Sequence, residues 1–462
     1  MEYVSSTTST CPVCRALIGA KILAHDGKIL MRKQCPRHGA FEVFLRDRAA
    51  QENLLAFHRR GLTPRSFQTK VSRGCPLDCG LCPEHEQHVC MPIIEITDHC
   101  DLNCPVCLVR NRNSFNLAPA QLDRMLDGLI ESECQIDVLN LSGGEPTLHP
   151  DFREIVDRCL GRKEILRVAV STNGIRLAGD ASLMKFLAER DVVVSLQYDG
   201  EDDGVYGELR GRPLAALKQK VLERSFRLNS PVSLAATIVR DVNEKELNGI
   251  VNLFFARENI LSLMLQPAAF VGNGTEFRRG RPRRVTVPEL VGLMGEVSVR
   301  GAGIRASDFS PLPCSHPECY ALAFFLRVGP GEYQAVKRLV EIDRYLDIVA
   351  NRALVGVDAS NFEKIRAAVY DLWSGPAGSN PDSQRALDAV RELFCRIGSC
   401  GCFDGRNVMK IAERSLKSVF IHGFMDAETF DLSRVRKCCN VYPLSDGRLM
   451  PACVYNVLER PR

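Results

Sequence analysis

The chain has 462 residues, enough for two or three domains, with 45% hydrophobic and 25% charged residues and a mean hydropathy of -0.08. This excludes disorder, collagen and long coiled coil, and 60 Lys+Arg against 56 Asp+Glu, a net charge of +4, is too balanced to argue for a nucleic-acid partner. The abnormal number is 20 Cys, against a single Trp.

Secreted disulfide scaffolds are short and follow a leader, whereas this long sequence opens MEYVSSTTSTCPVC without a basic-plus-apolar leader. No uninterrupted apolar run reaches the roughly 18 residues of a membrane span. The expectation is a cytoplasmic protein whose clustered, reduced thiols are metal or iron–sulfur ligands.

Residues 1–60 form the first unit. Cys11-x2-Cys14 and Cys35-Pro36-Arg37-His38-Gly39 read as two knuckles joined by a hairpin, KILAHDGKILMRKQ, with Asp26-Gly27 as its turn. The expected site is rubredoxin-like or zinc-ribbon-like, for a mononuclear Fe or Zn, with His38 or a later cysteine as fourth ligand. Residues 61–91 are a cysteine-rich auxiliary metal segment: Cys75, Cys79 and Cys82 in C-x3-C-x2-C spacing, then Cys90. No strand pattern precedes them.

Residues 92–270 alternate near-continuous apolar runs with amphipathic helical stretches. The strand candidates are IIEIT (93–97), IDVLNLS (136–142), ILRVAVST (165–172), VVVSLQ (192–197), VSLAATIV (232–239) and ILSLMLQ (260–266). Six β–α repeats of this kind predict an α/β fold with a buried parallel sheet, whose ligands sit at the strands' carboxyl ends. At those ends stand DHCDLNCPVC, GGEP, NG and YDG. Cys100, Cys104 and Cys107, again C-x3-C-x2-C, present three thiolates on one loop: enough for three corners of a 4Fe–4S cubane, with the fourth iron open to a ligand. The alternative for such spacing is a zinc knuckle; GGEP at the next strand end favours the cluster.

Residues 271–462 read as a helical and auxiliary-cluster unit. Cys314 and Cys319 lie in PCSHPEC, and Cys438, Cys439 and Cys453 in KCCNVYPLSDGRLMPAC. Cys395, Cys400 and Cys402 read as ligands or ordinary thiols, while Cys134 and Cys159 read as core thiols in helical patterns. Leu253, Phe254 and Phe255, with ALAFFL (321–326), read as core helices or the walls of an apolar tunnel. Arg278, Arg279, Arg281, Arg283 and Arg284 read as a solvated run or a phosphate-facing patch. The stretch 331–391 reads as helices broken by a mobile GPAGSNPDS linker.

On Cys100, Cys104, Cys107 and the GGEP strand end, the sequence resembles the radical S-adenosylmethionine (SAM) superfamily, from about Pro92 to Pro267. The resemblance implies a partial (β/α)6 barrel in which the three cysteines ligate a 4Fe–4S cluster that chelates SAM and yields a deoxyadenosyl radical. It places Gly143, Gly144, Glu145 and Pro146 against the methionyl amino group. Ser171, Thr172, Asn173, Ser195 and Gln197 occupy places that contact the carboxylate and ribose. One departure is Val106, where the superfamily usually carries an aromatic residue beside adenine.

The order of motifs along the chain, CPVC…CPRHG, GCPLDCGLCPEHEQHVC, the radical SAM motif, PCSHPEC, FMDA and CC…DGRLMPACVYN, resembles the tetraether lipid synthase family and its bacterial relatives. That resemblance implies two auxiliary 4Fe–4S clusters, a rubredoxin-like site, a lipid or phospholipid substrate whose terminal methyl carbons are coupled, and an electron donor such as ferredoxin or flavodoxin. It also implies peripheral contact with the inner membrane surface. The alternative is a methylase or other modifier of a small polar substrate such as a pterin. A zinc-ribbon scaffold or electron carrier, the non-catalytic reading, leaves GGEP without a role.

Overall fold

The computed structural model describes residues 1–50, 60–278, 284–339, 350–351, 364, 367, 381–398 and 405–460. Its first four strands, β1 (Glu2–Thr10), β2 (Leu17–His25), β3 (Lys28–Cys35) and β4 (Gly39–Asp47), form an antiparallel meander in chain order. The expected hairpin is β2–β3. His25 pairs with Lys28 across Asp26 and Gly27, both at positive φ (47° and 72°), the turn whose twist matches paired strands. Alternation puts Ala20, Ile22 and Ala24 against Ile29 and Met31 in a small core.

Among the described residues the second sheet has eleven strands. Six run parallel in chain order: β5 (Met91–Thr97), β6 (Ile136–Gly143), β7 (Ile165–Thr172), β8 (Val193–Gln197), β9 (Val232–Ile238) and β10 (Ile260–Pro267). The crossovers are α1 (Pro119–Glu133), α2 (Phe152–Leu160), α3 (Ile175–Gly179) with α4 (Ala181–Glu189), α5 (Asp203–Arg210) with α6 (Ala215–Arg227), and α7 (Leu247–Ala256). This is the expected partial (β/α)6 barrel. Helix faces such as Leu122, Met125, Leu126 and Leu129 pack on Ile94, Ile96, Leu139 and Leu141 in the main core.

After Pro267 the chain extends the barrel's own sheet. β11 (Tyr320–Gly329) and β12 (Glu332–Ala335) lie beyond β13 (Leu416–His422), which runs parallel to β10. β14 (Asn440–Pro443) pairs in parallel with β5, and β15 (Leu449–Pro451) follows it. ALAFFL is therefore strand, not helix. A six-residue apolar run lacks the length to separate the two, and its antiparallel pairing with β13 decides. Glu332–Ala335 is likewise strand where helix was expected. Leu253, Phe254 and Phe255 lie on α7, the two phenylalanines fully in the core. Most of the expected helices and linker in 331–391 lie outside the described residues.

The barrel's inner face holds a belt of hydroxyls. Ser171, Ser195, Ser233, Ser262 and Ser418 are each in register with the next, across β7, β8, β9, β10 and β13. Ser171 donates to Asn140 Oδ1 (3.0 Å) and Ser262 to Ser233 (2.7 Å). A cavity of about 120 Å³ lies against four of these serines and is closed by Met91, Leu261, Met264, Phe324, Phe420 and Met409.

Candidate active site and metal centres

The loop after β5 is shaped by backbone contacts around its three thiols. The Asp98 carboxylate accepts from the Ser114 and Phe115 amides (2.8 and 2.7 Å), tying the loop's two ends together. The Leu102 amide donates to Cys100 Sγ (3.5 Å) and the Val109 amide to Cys107 Sγ (3.4 Å). Burial pushes the Cys100 thiol up to about 12, reinforced by Glu145, and pushes Cys107 up as well. Only a bound cation makes these thiolates favourable.

GGEP runs against the root of this loop. The Gly144 amide donates to Thr97 O (2.8 Å) and the Glu145 amide to His99 O (2.7 Å). A Cβ on Gly143 would lie 2.1 Å from Thr97 O, and one on Gly144 2.3 Å from His99 O. Only glycine permits this approach, and Gly143 also sits at φ 142°. Pro146 opens a short 3-10 turn. The buried Glu145 carboxylate accepts from Thr147 Oγ1 (2.6 Å), Thr172 Oγ1 (2.8 Å) and the Asn173 amide (2.7 Å). One oxygen is saturated; the other, held by Asn173 alone, keeps acceptor capacity for an ammonium group.

Asn173 Nδ2 reaches Asp101 Oδ1 (2.6 Å), beside Cys100. Lys218, on α6, donates to the Asn173 carbonyl (2.6 Å) and to Gln197 Oε1 (2.7 Å). Gln197 in turn donates to Asp199, which receives a two-pronged ion pair from Arg210 (2.7 and 2.8 Å). Burial lowers Lys218 to about 7. Thus Thr172, Asn173 and Gln197 stand at the rim with Glu145, while Ser171 and Ser195 sit deeper, in the serine belt.

In the N-terminal sheet, Cys11, Cys14, Cys35 and His38 bring their ligand atoms within 4.8 Å of one another. His38 Nδ1 is 3.4 Å from Cys35 Sγ and 3.6 Å from Cys11 Sγ. Among the described residues it is His38, and no later cysteine, that joins the three thiols in this group. A tight Cys3His set fits one tetrahedral ion, zinc more naturally than the four-thiolate iron of rubredoxins.

The profile of the radical SAM superfamily matches residues 94–254. The barrel has the radical SAM fold. Residues 3–47 match a second profile, the HMPTM N-terminal zinc ribbon domain. The 7,8-dihydro-6-hydroxymethylpterin dimethyltransferase of Methanocaldococcus jannaschii is 29% identical over 98% of this chain and 94% of its own length. A GTP 3',8-cyclase of Vibrio parahaemolyticus is 25% identical over 34% of this chain, which spans about half, 48%, of that protein. Among solved structures, Streptococcus suis SuiB aligns at 16% identity and a TM-score of 0.38, over 47% of this chain and 50% of that one.

The barrel's residues fit the cofactors that this fold implies. Three thiols on one loop leave a 4Fe–4S cluster one iron open. Glu145 offers an acceptor for SAM's amino group, and Arg210 a guanidinium near Cys104 and Cys107. Val106 is buried with Val205, Leu209, Val239, Phe270 and Phe277.

The remaining cysteines do not group as they follow in sequence. Cys75 and Cys79 face one another, with Cys82 beside them. Cys90 leaves that segment and faces Cys314 and Cys439. Cys438 lies near Cys453, Cys439 and Cys319, where Arg434 donates to Cys319 Sγ (3.3 Å). Cys438 and Cys439 both precede β14, and Cys439, besides facing Cys90, also lies near Cys438 and Cys319. Cys159 is fully buried as expected, but Cys134 is exposed at the C-terminal end of α1 and accepts from Arg65 (2.8 Å). Cys395 is exposed; Cys400 and Cys402 lie outside the described residues.

Of the arginine run, Arg284 pairs with Asp426 (2.9 Å) and Glu428, and Arg278 with Glu428 (3.3 Å). These two guanidiniums brace the FMDA turn rather than face a phosphate. Arg279, Arg281 and Arg283 lie outside the described residues. Sequence reasoning missed Asp199, Arg210 and Lys218. YDG marked a polar strand end, and Lys218 occupies a core-facing phase of its helix, the one signal that pointed to it.

Proposed function

We propose that this radical SAM enzyme methylates a small, reduced, polar heteroaromatic of the pterin class. The carrying observation is the end-to-end relation to a protein named as a pterin dimethyltransferase, which spans ribbon, barrel and tail together. The serine belt supports it, since five hydroxyls inside the barrel suit a substrate with heteroatoms better than a hydrocarbon.

When bound, the cluster and SAM supply hydrogen abstraction from an unactivated C–H bond, and they require a one-electron donor. The chain's own part is orientation. Cys100, Cys104 and Cys107 would hold the iron, Gly143, Gly144, Glu145 and Pro146 would receive the amino group, and Thr172, Asn173 and Gln197 would receive the carboxylate and ribose. Ser171 and Ser195 face the substrate space beneath. Cys75, Cys79 and Cys82, then Cys90, Cys314 and Cys439, then Cys319, Cys438 and Cys453, are three candidate auxiliary groups.

The second reading, coupling of lipid methyl carbons, rests on the order of motifs. The apolar side chains closing the barrel cavity, Met264, Phe324 and Phe420 among them, favour it. No helix among the described residues is long and apolar enough to cross a membrane, so such a substrate would be met peripherally.

The test is anaerobic reconstitution with iron and sulfide, then SAM cleavage with a chemical reductant, with a reduced hydroxymethylpterin or a phospholipid added. Pterin-dependent 5′-deoxyadenosine and a methylated pterin support the first reading; lipid-dependent cleavage with carbon–carbon coupled product replaces it with the second. Cleavage surviving replacement of Cys100, Cys104 and Cys107 by Ala would overturn both.

A further inference from the structure

The face of α6 that packs on the sheet consists of Lys218, Val221, Leu222 and Ser225. The spacing is that of a helix's apolar stripe, and its first position holds an ammonium with no exposed surface. A methionine would fill that place without the cost of removing a charge from water. The lysine's two hydrogen bonds explain its presence. It ties the Asn173 carbonyl (2.6 Å) to Gln197 Oε1 (2.7 Å), bridging the carboxyl ends of β7 and β8.

Both partners are otherwise committed to the site. The Asn173 amide holds Glu145 (2.7 Å), and its side chain holds Asp101 (2.6 Å), next to the first cluster cysteine. With Oε1 accepting from Lys218 and Nε2 donating to Asp199, Gln197 can present its amide in one orientation only. We propose that Lys218 is a positioning residue for SAM: it fixes the Asn173 peptide and the Gln197 amide in the arrangement that receives the cofactor. This rests on the radical SAM reading and on neither choice of substrate.

The test compares full-length, cluster-loaded wild type with Lys218→Met and Lys218→Arg, measuring SAM dissociation constants by equilibrium dialysis. The change in the reduced cluster's electron paramagnetic resonance on SAM addition is the second readout. Lys218→Met is expected to weaken SAM binding about tenfold or more, and Lys218→Arg, which keeps charge and donors, about threefold or less. Iron content and melting temperature report folding separately; if Lys218→Met does not fold, Lys218→Gln takes its place with the same outcomes. Wild-type SAM affinity in the Met variant, or an equal loss in both variants, overturns the proposal. A wild-type chain that bound no SAM would instead remove the reading beneath it.

Discussion

Gly144 and Glu145 show how little freedom the site leaves its residues. The Gly144 approach to His99 O leaves no room for a methyl group, because a Cβ would stand 2.3 Å from a backbone oxygen that cannot swing away. Gly144→Ala is expected to displace the cluster loop and lower reconstituted iron, measured per chain against wild type. Glu145→Gln keeps the shape but replaces an acceptor oxygen by a donor that faces the Asn173 amide or the two threonine hydroxyls. SAM affinity is expected to fall about tenfold or more, with iron content preserved, because a charge-assisted bond to the ammonium is lost. Unchanged SAM affinity would remove Glu145 from the cofactor's contacts.

At the scale of elements, α7 ends against a buried cation. Lys417, on β13, donates to the carbonyls of Phe254 (2.6 Å), Arg257 (2.8 Å) and Ile260 (2.5 Å), at a helix end, in the following turn and at the start of β10; the Arg257 carbonyl also accepts from the Ile260 amide (3.1 Å). Burial lowers its pKa to about 7, from the ordinary 10.5. A base depressed in the fold is protonated more readily when unfolded, so between about pH 7 and 10.5 its contribution to stability rises with pH. Lys417→Met is expected to cost about 2–3 kcal/mol by leaving buried carbonyls unpaired. In denaturant titrations from pH 7 to about 10, the wild-type slope of stability against pH should exceed the variant's; equal slopes would contradict the assignment.

The elements also show what a sequence discloses. The six barrel strands were legible because their apolar runs are bounded by turn residues and followed by helical stripes. Cys11, Cys14, Cys35 and His38 were legible because two short knuckles and one hairpin contain them all. ALAFFL was ambiguous, since nothing local distinguishes a strand from a helix turn buried on both sides. The meeting of Cys90 with Cys314 and Cys439 was hidden: its partners lie hundreds of residues away and only the sheet brings them together. Lys218 went unnoticed in the sequence, because a single polar residue in an apolar helical phase acquires a meaning only with Asn173 and Gln197 beside it.

At the scale of the molecule, the ribbon sheet is fastened to the tail. Lys33 donates to Ser9 (3.0 Å) and to the carbonyls of Ala427 (3.0 Å) and Glu428 (2.7 Å), while Thr10 reaches Ala427 O (2.9 Å). Arg46 meets Glu318 at 2.5 Å, one residue from Cys319. Lys33→Met is expected to loosen this docking without releasing the ribbon's metal. Amide hydrogen exchange should rise in β3 and around residues 427–431 while the ribbon's metal content stays at the wild-type level; metal loss in parallel would mean that docking and metal binding are one event.

The placement of β14 beside β5 has a consequence for biosynthesis. Arg460 grips Glu95, on the strand that leads into the cluster loop, with a two-pronged pair at 2.7 and 3.1 Å, across 365 positions of sequence. A chain still emerging from the ribosome can pair β5 with β6, but the other edge of β5 stays open until β14 has been translated. The loop that carries Cys100, Cys104 and Cys107 therefore gains its complete protein surroundings only once residues 440–460 have been made, long after the loop itself has left the ribosome.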